Sequence, residues 1–303
     1  MGCGEVDLAV DLGPVHLANP VMTASGTAGY GSEFAAILPL HRLGAHVVKS
    51  LASFSYPGNP PPRLAAIPAG MINSVGLPGP GAEQWSREHL PGLLDLGVNF
   101  AVSIWGRSVE EFLAATAALS EALNHAAFCE INVSCPNSEA NQALFSHDPG
   151  ETARVVSVVR TATRAPLFTK LSPNTDRYTE VAAAAISAGS DGLTAINTVF
   201  GQWIEGGKGV LGRLGGGGVS GRGIHPIALR VVSELRSRFP EVPLIGVGGI
   251  STGRDALRML QAGANAVQVG TATFVDPRRP YQVLLELESE LRRLGIHQLK
   301  KLA

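Results

Sequence analysis

The fold of this chain is decided by the stretch PLIGVGGISTGRDALRMLQAGANAVQVGTATF at residues 243–274. Two short apolar runs, at 243–250 and 266–274, stand on either side of a longer segment of helical character. Continuous apolar strands that alternate with helices indicate a parallel sheet that is buried on both faces. The stretch therefore predicts one strand–helix–strand unit of such a sheet.

The same alternation runs through most of the chain. Six further runs rich in valine, isoleucine and threonine predict strands at residues 21–26, 45–51, 99–105, 128–135, 165–172 and 191–198. Eight such units in roughly 280 residues predict an α/β fold, a closed (β/α)8 barrel of the TIM type. We expect residues 1–303 to form a single domain, because no linker divides the chain.

Two segments between the strands carry clear helix signals. In HPIALRVVSELRSRF at 225–239, apolar residues such as Ile227 and Val231 recur every four residues, which predicts an amphipathic helix. Ser108 is followed three residues later by Glu111, and this pair predicts a helix that begins with a capping box.

The remaining segments are a hairpin and two long loops. VDLAVDLGPVHLANP predicts an N-terminal β-hairpin with its turn at Gly13–Pro14, placed at the bottom of the barrel. Residues 52–82 and 199–224 predict unusually long loops, the second with the run GGKGVLGRLGGGG. Because long loops on the carboxyl side of barrel strands carry substrate sites, we expect both loops to border the site.

Composition excludes several classes of protein. Hydrophobic residues make up 45% of the 303 residues, which is enough for a sizeable core, and the net charge of −1 offers no basic surface to nucleic acid. Cys3, Cys129 and Cys135 have neither metal-ligand spacing nor a disulfide framework. The N-terminus lacks signal-peptide features and no apolar stretch suits a membrane span. We expect a cytoplasmic protein without a metal, a nucleic-acid partner or a membrane partner.

Residues that could bind a ligand or react with it collect where the predicted strands end. In a TIM barrel these ends converge on one mouth, so residues far apart in the sequence share a pocket. They are Lys49, Ser50, Asn132, Cys135, Lys170, Asn197, Thr198, Gly248 and Gly249, with Gly270 and Thr271 inside the predicted eighth strand.

Two glycine-containing turns predict a phosphate site. Glycines in GVGGISTGRD and at Gly270–Thr271 let the backbone approach an anion, and N–H groups at a helix start point towards it. Glycine pairs also form ordinary tight turns. Two such turns after neighbouring strands favour phosphate binding.

Lys49 and Lys170 end the apolar runs VVK and LFTK. Each is either a solvated strand end or a cation that faces an anionic or electron-rich ligand. Two lysines in the same register favour the ligand, because a barrel mouth would otherwise bury unpaired charge.

Cys135 lies between two amides in NVSCPN. Cysteine is most often a small apolar core residue, which is our interpretation of Cys3 and Cys129. The polar surroundings of Cys135 instead indicate an accessible thiol that can accept a proton near neutral pH.

Four amide side chains suit a planar ligand that carries several carbonyl and N–H groups, such as a pyrimidine. Any one of them could also form a turn. They are Asn73, Asn132, Asn137 and Asn197.

Taken together, these segments resemble the dihydroorotate dehydrogenase family, over about residues 17 to 300. The resemblance rests on order and spacing of ANPVMTASGTAGYG, HVVKS, NPPPRL, AGMINSVGLPGPG, EINVSCPN, KLSPN, INT, GGVSGRGIHPIALR, IGVGGI and VGTATF. It implies an FMN enzyme that oxidises dihydroorotate to orotate in pyrimidine biosynthesis.

The resemblance also implies roles for individual residues. Contacts to FMN fall on Ser25, Lys49, Ser50, Asn132, Lys170, Ile196 and Gly221, and its phosphate falls on Gly248, Gly249, Gly270 and Thr271. Contacts to the pyrimidine fall on Lys49, Asn73, Ser74, Val75, Gly76, Leu77, Asn132, Asn137, Asn197 and Thr198. Cys135 falls on the catalytic base of the class 1 enzymes, which takes the C5 proton while hydride leaves C6.

Within class 1, the segment NSEANQALFSHDPGE is similar to class 1B sequences and lacks the GKPQ segment of the fumarate-using class 1A enzymes. The resemblance implies that this chain forms either a homodimer or a heterotetramer, the latter with an iron–sulfur and FAD subunit that passes electrons to NAD. Three cysteines are too few for this chain to hold such a cluster itself.

Two departures from the class 1B pattern keep alternatives open. Ser103 stands where these enzymes have an asparagine near FMN, and the loop at 205–218 is unusually rich in glycine. A related FMN oxidoreductase acting on another dihydropyrimidine is therefore one alternative. A non-catalytic flavin-binding paralogue is the other.

Overall fold

The computed structural model describes residues 6–134, 144–211 and 216–302. In chain order its strands are β1 Val10–Leu12, β2 Val15–Leu17, β3 Val21–Thr23, β4 His46–Val47, β5 Leu64–Ile67, β6 Gly70–Asn73, β7 Phe100–Ile104, β8 Cys129–Asn132, β9 Leu167–Leu171, β10 Gly192–Ala195, β11 Val199–Gly201, β12 Ile204–Glu205, β13 Lys208–Gly209, β14 Gly217–Ser220, β15 Leu244–Val247 and β16 Ala266–Val269.

The helices follow most of the barrel strands, and α7 ends one residue before the predicted boundary at 239. They are α1 Ala82–Glu88, α2 Leu90–Asp95, α3 Val109–Ala118, α4 Ser120–His125, α5 Pro149–Ala162, α6 Tyr178–Ser187, α7 His225–Arg238, α8 Gly253–Gln261, α9 Ala272–Val275 and α10 Arg279–Arg293. In the part of the chain that the structure describes, none is both long and apolar enough to cross a membrane.

Eight parallel strands form the barrel in the order β3-β16-β15-β10-β9-β8-β7-β4. A parallel bridge between Met22 and Ala45 joins the two ends of this order and closes the barrel. Every residue of the eight strands is buried, because side chains fill the interior on one face and helices cover the other. The predicted TIM barrel and its eight strands are confirmed.

The N-terminal hairpin is also confirmed. β1 pairs antiparallel with β2, and Gly13 adopts the left-handed backbone conformation of the turn (φ 63°). A Cβ atom placed on Gly13 would lie 3.2 Å from Cγ of Pro243, the residue directly before β15. The hairpin therefore contacts the barrel at the amino ends of its strands, opposite the mouth.

The two segments predicted as long loops contain short β-strands. β5 and β6 come from the first segment, β11 and β14 come from the second, and together they form one antiparallel sheet in the order β11-β14-β6-β5. The pairing of β14 with β6 joins residues about 150 positions apart, which local sequence patterns do not reveal. The glycines of β14 also hide its strand character.

Three local predictions need correction. The eighth barrel strand ends at Val269, and the residues after it turn into the short helix α9, so Gly270 and Thr271 lie beyond the strand. Ile227 is 41% exposed, because α7 buries the face of Ala228 instead. Ser108 does accept a hydrogen bond from the Glu111 amide, but the Glu111 carboxylate accepts from the Arg107 amide. The predicted capping box is therefore half formed.

Candidate active site

A cavity of about 860 Å³ opens at the carboxyl ends of the barrel strands, below the four-stranded sheet of β5, β6, β11 and β14. Every predicted site residue that lies within the described ranges lines this cavity. These residues are Ser25, Lys49, Ser50, Asn73, Ser74, Val75, Gly76, Leu77, Asn132, Lys170, Ile196, Asn197, Thr198, Gly221, Gly248, Gly249, Gly270 and Thr271. Cys135 and Asn137 lie outside the described residues.

Lys49 presents a partly buried ammonium to the cavity. Burial lowers the pKa of this group from 10.5 to about 8, and the positive charge of Arg63 adds to the effect. The Arg63 guanidinium is held in place by donating to the carbonyl oxygens of Pro57 and Asn59. Lys49 therefore favours an anionic ligand, whose charge would compensate its own.

Lys170 differs from Lys49 because its charge is already paired. Its Nζ lies 3.1 Å from Oε1 of Glu130 and 3.3 Å from Oε1 of Gln268, and all three side chains are buried. The argument that Lys170 would be an unpaired cation without a ligand is therefore wrong. Sequence reasoning missed both partners, although a glutamate or glutamine inside an apolar strand was a usable signal.

Three serine hydroxyls form a chain along one wall of the cavity. Oγ of Ser50 lies 3.1 Å from Oγ of Ser25 and 2.9 Å from Oγ of Ser103. Ser25 and Ser50 line the cavity, whereas Ser103 is fully buried behind Ser50. The Ser103 hydroxyl therefore reaches the cavity lining through its hydrogen bond to Ser50.

The amide side chains are fixed by neighbours. Nδ2 of Asn197 donates to Oδ1 of Asn132 over 3.2 Å, and Nδ2 of Asn73 donates to the carbonyl oxygen of Gly218 on β14. The second bond ties β6 to β14 at the cavity wall. Two amides from different barrel strands and one from the covering sheet are thus held in place for a polar ligand.

Three residues that sequence reasoning missed hold the lining segments. Asn174 donates to the Thr198 carbonyl oxygen and accepts from the Phe200 amide, so it fixes the start of β11. Asn59 donates to the Ser74 carbonyl oxygen, and the Tyr30 hydroxyl donates to the Pro78 carbonyl oxygen. The last two hold both ends of the run after β6.

The run Asn73–Leu77 bends sharply where it lines the cavity. Leu77 has φ 60°, a left-handed conformation that residues other than glycine rarely adopt. Such a conformation persists only where surrounding contacts enforce it, and strained backbone is frequent at ligand sites. The bend supports this run as part of a binding site.

The glycine turns leave backbone donors open. Within the described ranges, the N–H groups of Gly248, Gly249 and Gly270 donate to no protein acceptor, and all three residues line the cavity. The tight-turn explanation also holds for Gly249, since a Cβ there would lie 2.6 Å from Cβ of His225. Free N–H groups that line the same cavity suit an anion such as phosphate.

The N–H groups at the start of α8 were predicted to point towards this anion site, but they do not contribute to it. The amides of Ser251 and Thr252 donate to the carboxylate of Asp255, and the amide of Gly253 donates to Glu286. These contacts satisfy the helix start internally. The open donors therefore belong to the turns themselves.

Cys129 is confirmed as a core thiol. It is fully buried on β8, and burial raises its pKa well above the usual range, with a smaller contribution from the neighbouring Glu130. A thiol in this state is protonated at neutral pH and unreactive. Proton abstraction by a cysteine would have to come from another position.

Comparisons with known proteins identify the family of this chain. The family model described as dihydroorotate dehydrogenase matches residues 7–291. The chain is 42% identical over 301 residues to the dihydroorotate dehydrogenase B (NAD(+)) catalytic subunit of Geotalea uraniireducens, covering 99% of this chain and 98% of that protein. The corresponding protein of Desulforudis audaxviator is 44% identical, with 98% and 97% covered.

A relative with a different name is similar at nearly the same level. The putative dihydroorotate dehydrogenase A (fumarate) of Aquifex aeolicus is 40% identical over 303 residues, with 98% of this chain and 97% of that protein covered. Overall identity therefore separates the two types only weakly.

Proposed function

This chain belongs to the dihydroorotate dehydrogenase family, and we propose that it oxidises dihydroorotate to orotate with FMN in de novo pyrimidine biosynthesis. Membership makes the chain an oxidoreductase that works with a flavin, and the B-type catalytic subunits among its relatives support the class 1B type. One observation carries the proposal: the described residues expected to bind FMN and the pyrimidine, drawn from across the chain, line a single cavity.

The cavity suits an FMN molecule in size and chemistry. Its volume of about 860 Å³ lies in the usual range for cofactor sites. The free N–H groups of Gly248, Gly249 and Gly270 fit a phosphate. Lys49, Lys170 and the Ser25 and Ser50 hydroxyls supply polar contacts for a ring system. When bound, the flavin supplies the redox chemistry by accepting hydride from the substrate.

The pyrimidine is oriented by this chain's own polar groups. Asn73, Asn132, Asn197 and Thr198 offer donors and acceptors that match ring carbonyl and N–H groups. Lys49 lies beside them and offers a cation to the substrate's carboxylate. Because these groups are fixed by neighbouring hydrogen bonds, they hold the ring in one orientation.

Cys135 removes the C5 proton of the substrate in this proposal. The residue follows β8 by three positions, and β8 ends at Asn132 on the cavity wall. A thiol has an ordinary pKa of about 8.5, so positive charge nearby is needed to increase its thiolate fraction. The Lys49 ammonium supplies positive charge at this cavity.

Electrons leave the flavin through a second protein subunit in this proposal. The relatives named as B-type catalytic subunits use NAD(+), and the term subunit implies a partner. We propose an iron–sulfur and FAD subunit in a heterotetramer as the route from FMN to NAD. The segment NSEANQALFSHDPGE supports this assignment over the fumarate-using type.

The decisive experiment adds dihydroorotate to the purified protein without oxygen. Bleaching of the bound flavin, with formation of one orotate per flavin, is the expected result. A flavin that stays oxidised with dihydroorotate but bleaches with another dihydropyrimidine would replace the proposed substrate. A flavin that bleaches with neither would make the chain a non-catalytic flavin-binding protein.

A further inference from the structure

The inner end of the cavity carries a closed ring of three buried polar side chains. Lys170 on β9 contacts Glu130 on β8 and Gln268 on β16, and Nε2 of Gln268 donates to Oε2 of Glu130 over 2.7 Å. β16 is separated from β9 by two strands in the sheet, so the contacts of Gln268 cross the barrel interior. Glu130 and Lys170 line the cavity, and the ring thus forms its floor.

The hydrogen bonds of the ring leave little freedom to its members. A carboxylate only accepts, so the amide of Gln268 must turn its nitrogen to Glu130 and its oxygen to Lys170. Both oxygens of Glu130 are then engaged. An ammonium has three donors, and the ring uses two of the donors of Lys170. The ammonium is therefore held in one place beside the cavity.

The ring also cancels charge, in contrast to the second lysine of the cavity. The charges of Glu130 and Lys170 sum to zero at a contact of 3.1 Å. Lys49 has no such carboxylate contact among the described residues, and burial lowers its pKa to about 8. Among the described residues, Lys170 is therefore a compensated cation of the cavity and Lys49 an uncompensated one.

We propose that Glu130 and Gln268 are positioning residues that fix the ammonium of Lys170 and set how strongly the site favours reduced over oxidised flavin. This proposal rests on the proposed function, because it requires a flavin in the cavity. Reduction adds negative charge to a flavin, so positive charge nearby favours the reduced form and negative charge opposes it. Glu130 moderates the effect of Lys170.

The test measures the reduction potential of the bound flavin in the purified holoprotein. Glu130→Gln keeps the shape of the side chain and leaves Lys170 uncompensated. We expect at least a tenfold shift of the equilibrium towards reduced flavin, which equals a rise of about 30 mV for two electrons. Lys170→Met leaves Glu130 uncompensated, and we expect a tenfold shift in the opposite direction. Glu121→Gln, on the exposed surface of α4, should leave the potential unchanged.

Opposite shifts in the two variants distinguish charge control from a purely structural role. A structural role would lower thermal stability and flavin retention in both variants, without a change of sign in the potential. Shifts in the same direction, or shifts below threefold in both, overturn the proposal while the proposed function stands. Wild-type protein that binds no flavin overturns the proposed function itself.

A third variant covers the case that Glu130→Gln yields no folded holoprotein. Gln268→Met keeps both charges but removes one acceptor from the ammonium and one donor from the carboxylate. We expect the flavin dissociation constant of this variant to rise at least tenfold. A dissociation constant equal to that of the wild type would overturn the role of the ring.

Discussion

The buried charge of Lys49 lowers the free energy of unfolding of the flavin-free protein, and replacing this residue should raise it. The fall of its pKa from 10.5 to about 8, caused first by burial and then by the charge of Arg63, corresponds to about 3 kcal/mol against the charged form on folding. Lys49→Met keeps most of the apolar stem and removes the charge. We expect the flavin-free variant to unfold at pH 7 with a free energy about 1–3 kcal/mol above that of the wild type.

The pH dependence of this difference follows from the sign of the pKa change. Below about pH 8, Lys49 is protonated in the folded and the unfolded state, so the full cost is present. From about 8 to 10.5 the unfolded state binds more protons than the folded state, and wild-type stability therefore rises with pH. Above 10.5 neither state is charged at Lys49 and the cost is gone. The advantage of Lys49→Met should shrink across this window.

Denaturant unfolding of both flavin-free proteins from about pH 7 to pH 10 measures this difference. Groups such as Tyr30, whose pKa burial raises to about 12, are common to both proteins and cancel. Lys208→Met, at an exposed lysine of β13, is the control and should give no pH-dependent difference. A difference that stays constant over the window, or a Lys49→Met protein less stable than the wild type at pH 7, would refute the reasoning. In the holoprotein the same variant should bind orotate at least about tenfold more weakly, because one charge-assisted contact is lost.

Four further outcomes test the proposed site. Cys135→Ala should slow anaerobic flavin reduction by dihydroorotate by about 10²–10⁴-fold in stopped-flow measurements, whereas Cys135→Ser should keep partial activity with a pH dependence shifted upward. If the Cys135→Ala rate lies within a few-fold of the wild-type rate, Cys135 is not the base. Cys129→Ala is the control variant for loss of a thiol. Mass spectrometry of the released flavin should identify FMN, and released FAD would contradict the proposed cofactor. Steady-state assays should find negligible fumarate reduction, and NAD reduction only when the second subunit is added; efficient fumarate turnover by this chain alone would assign it to the fumarate-using type. Gly249→Ala should weaken FMN binding at least about tenfold in a flavin titration, because the left-handed backbone (φ 70°) and the Cβ of His225 at 2.6 Å both oppose a side chain. Unchanged affinity would show that the turn accommodates the methyl group and that its shape does not control FMN binding.

The barrel could be predicted because its signals are local. A strand that is buried on both faces must be a continuous apolar run, and eight such runs appear in the sequence at the spacing of βα units. The hairpin at Gly13 was likewise marked by alternation and by a turn residue. Strand ends were less certain, as in the eighth strand, where Gly270 and Thr271 continue an apolar pattern but turn into α9.

The site was predictable to the extent that a barrel brings strand ends together. Once eight parallel strands are accepted, Lys49 on one strand and Asn197 on another must share the mouth. Motifs with family-like order then supplied the roles of single residues. Which of the buried polar residues pair with each other was not predictable, because a hydrogen bond such as Nζ of Lys170 to Oε1 of Gln268 joins positions 98 apart.

By itself the sequence determined the fold, the position of the mouth and the residues that surround it, because the apolar runs and the polar residues at their ends can be recognised in short stretches of sequence. Only the tertiary structure decided which charges are paired: Lys170 is compensated by Glu130, whereas Lys49, with a pKa of about 8, has no carboxylate partner within residues 6–134, 144–211 and 216–302. The covering sheet of β5, β6, β11 and β14 also appeared only in three dimensions. The physical reason is the same in both cases, since pairing across long sequence separations depends on the closed barrel that brings the partners within reach.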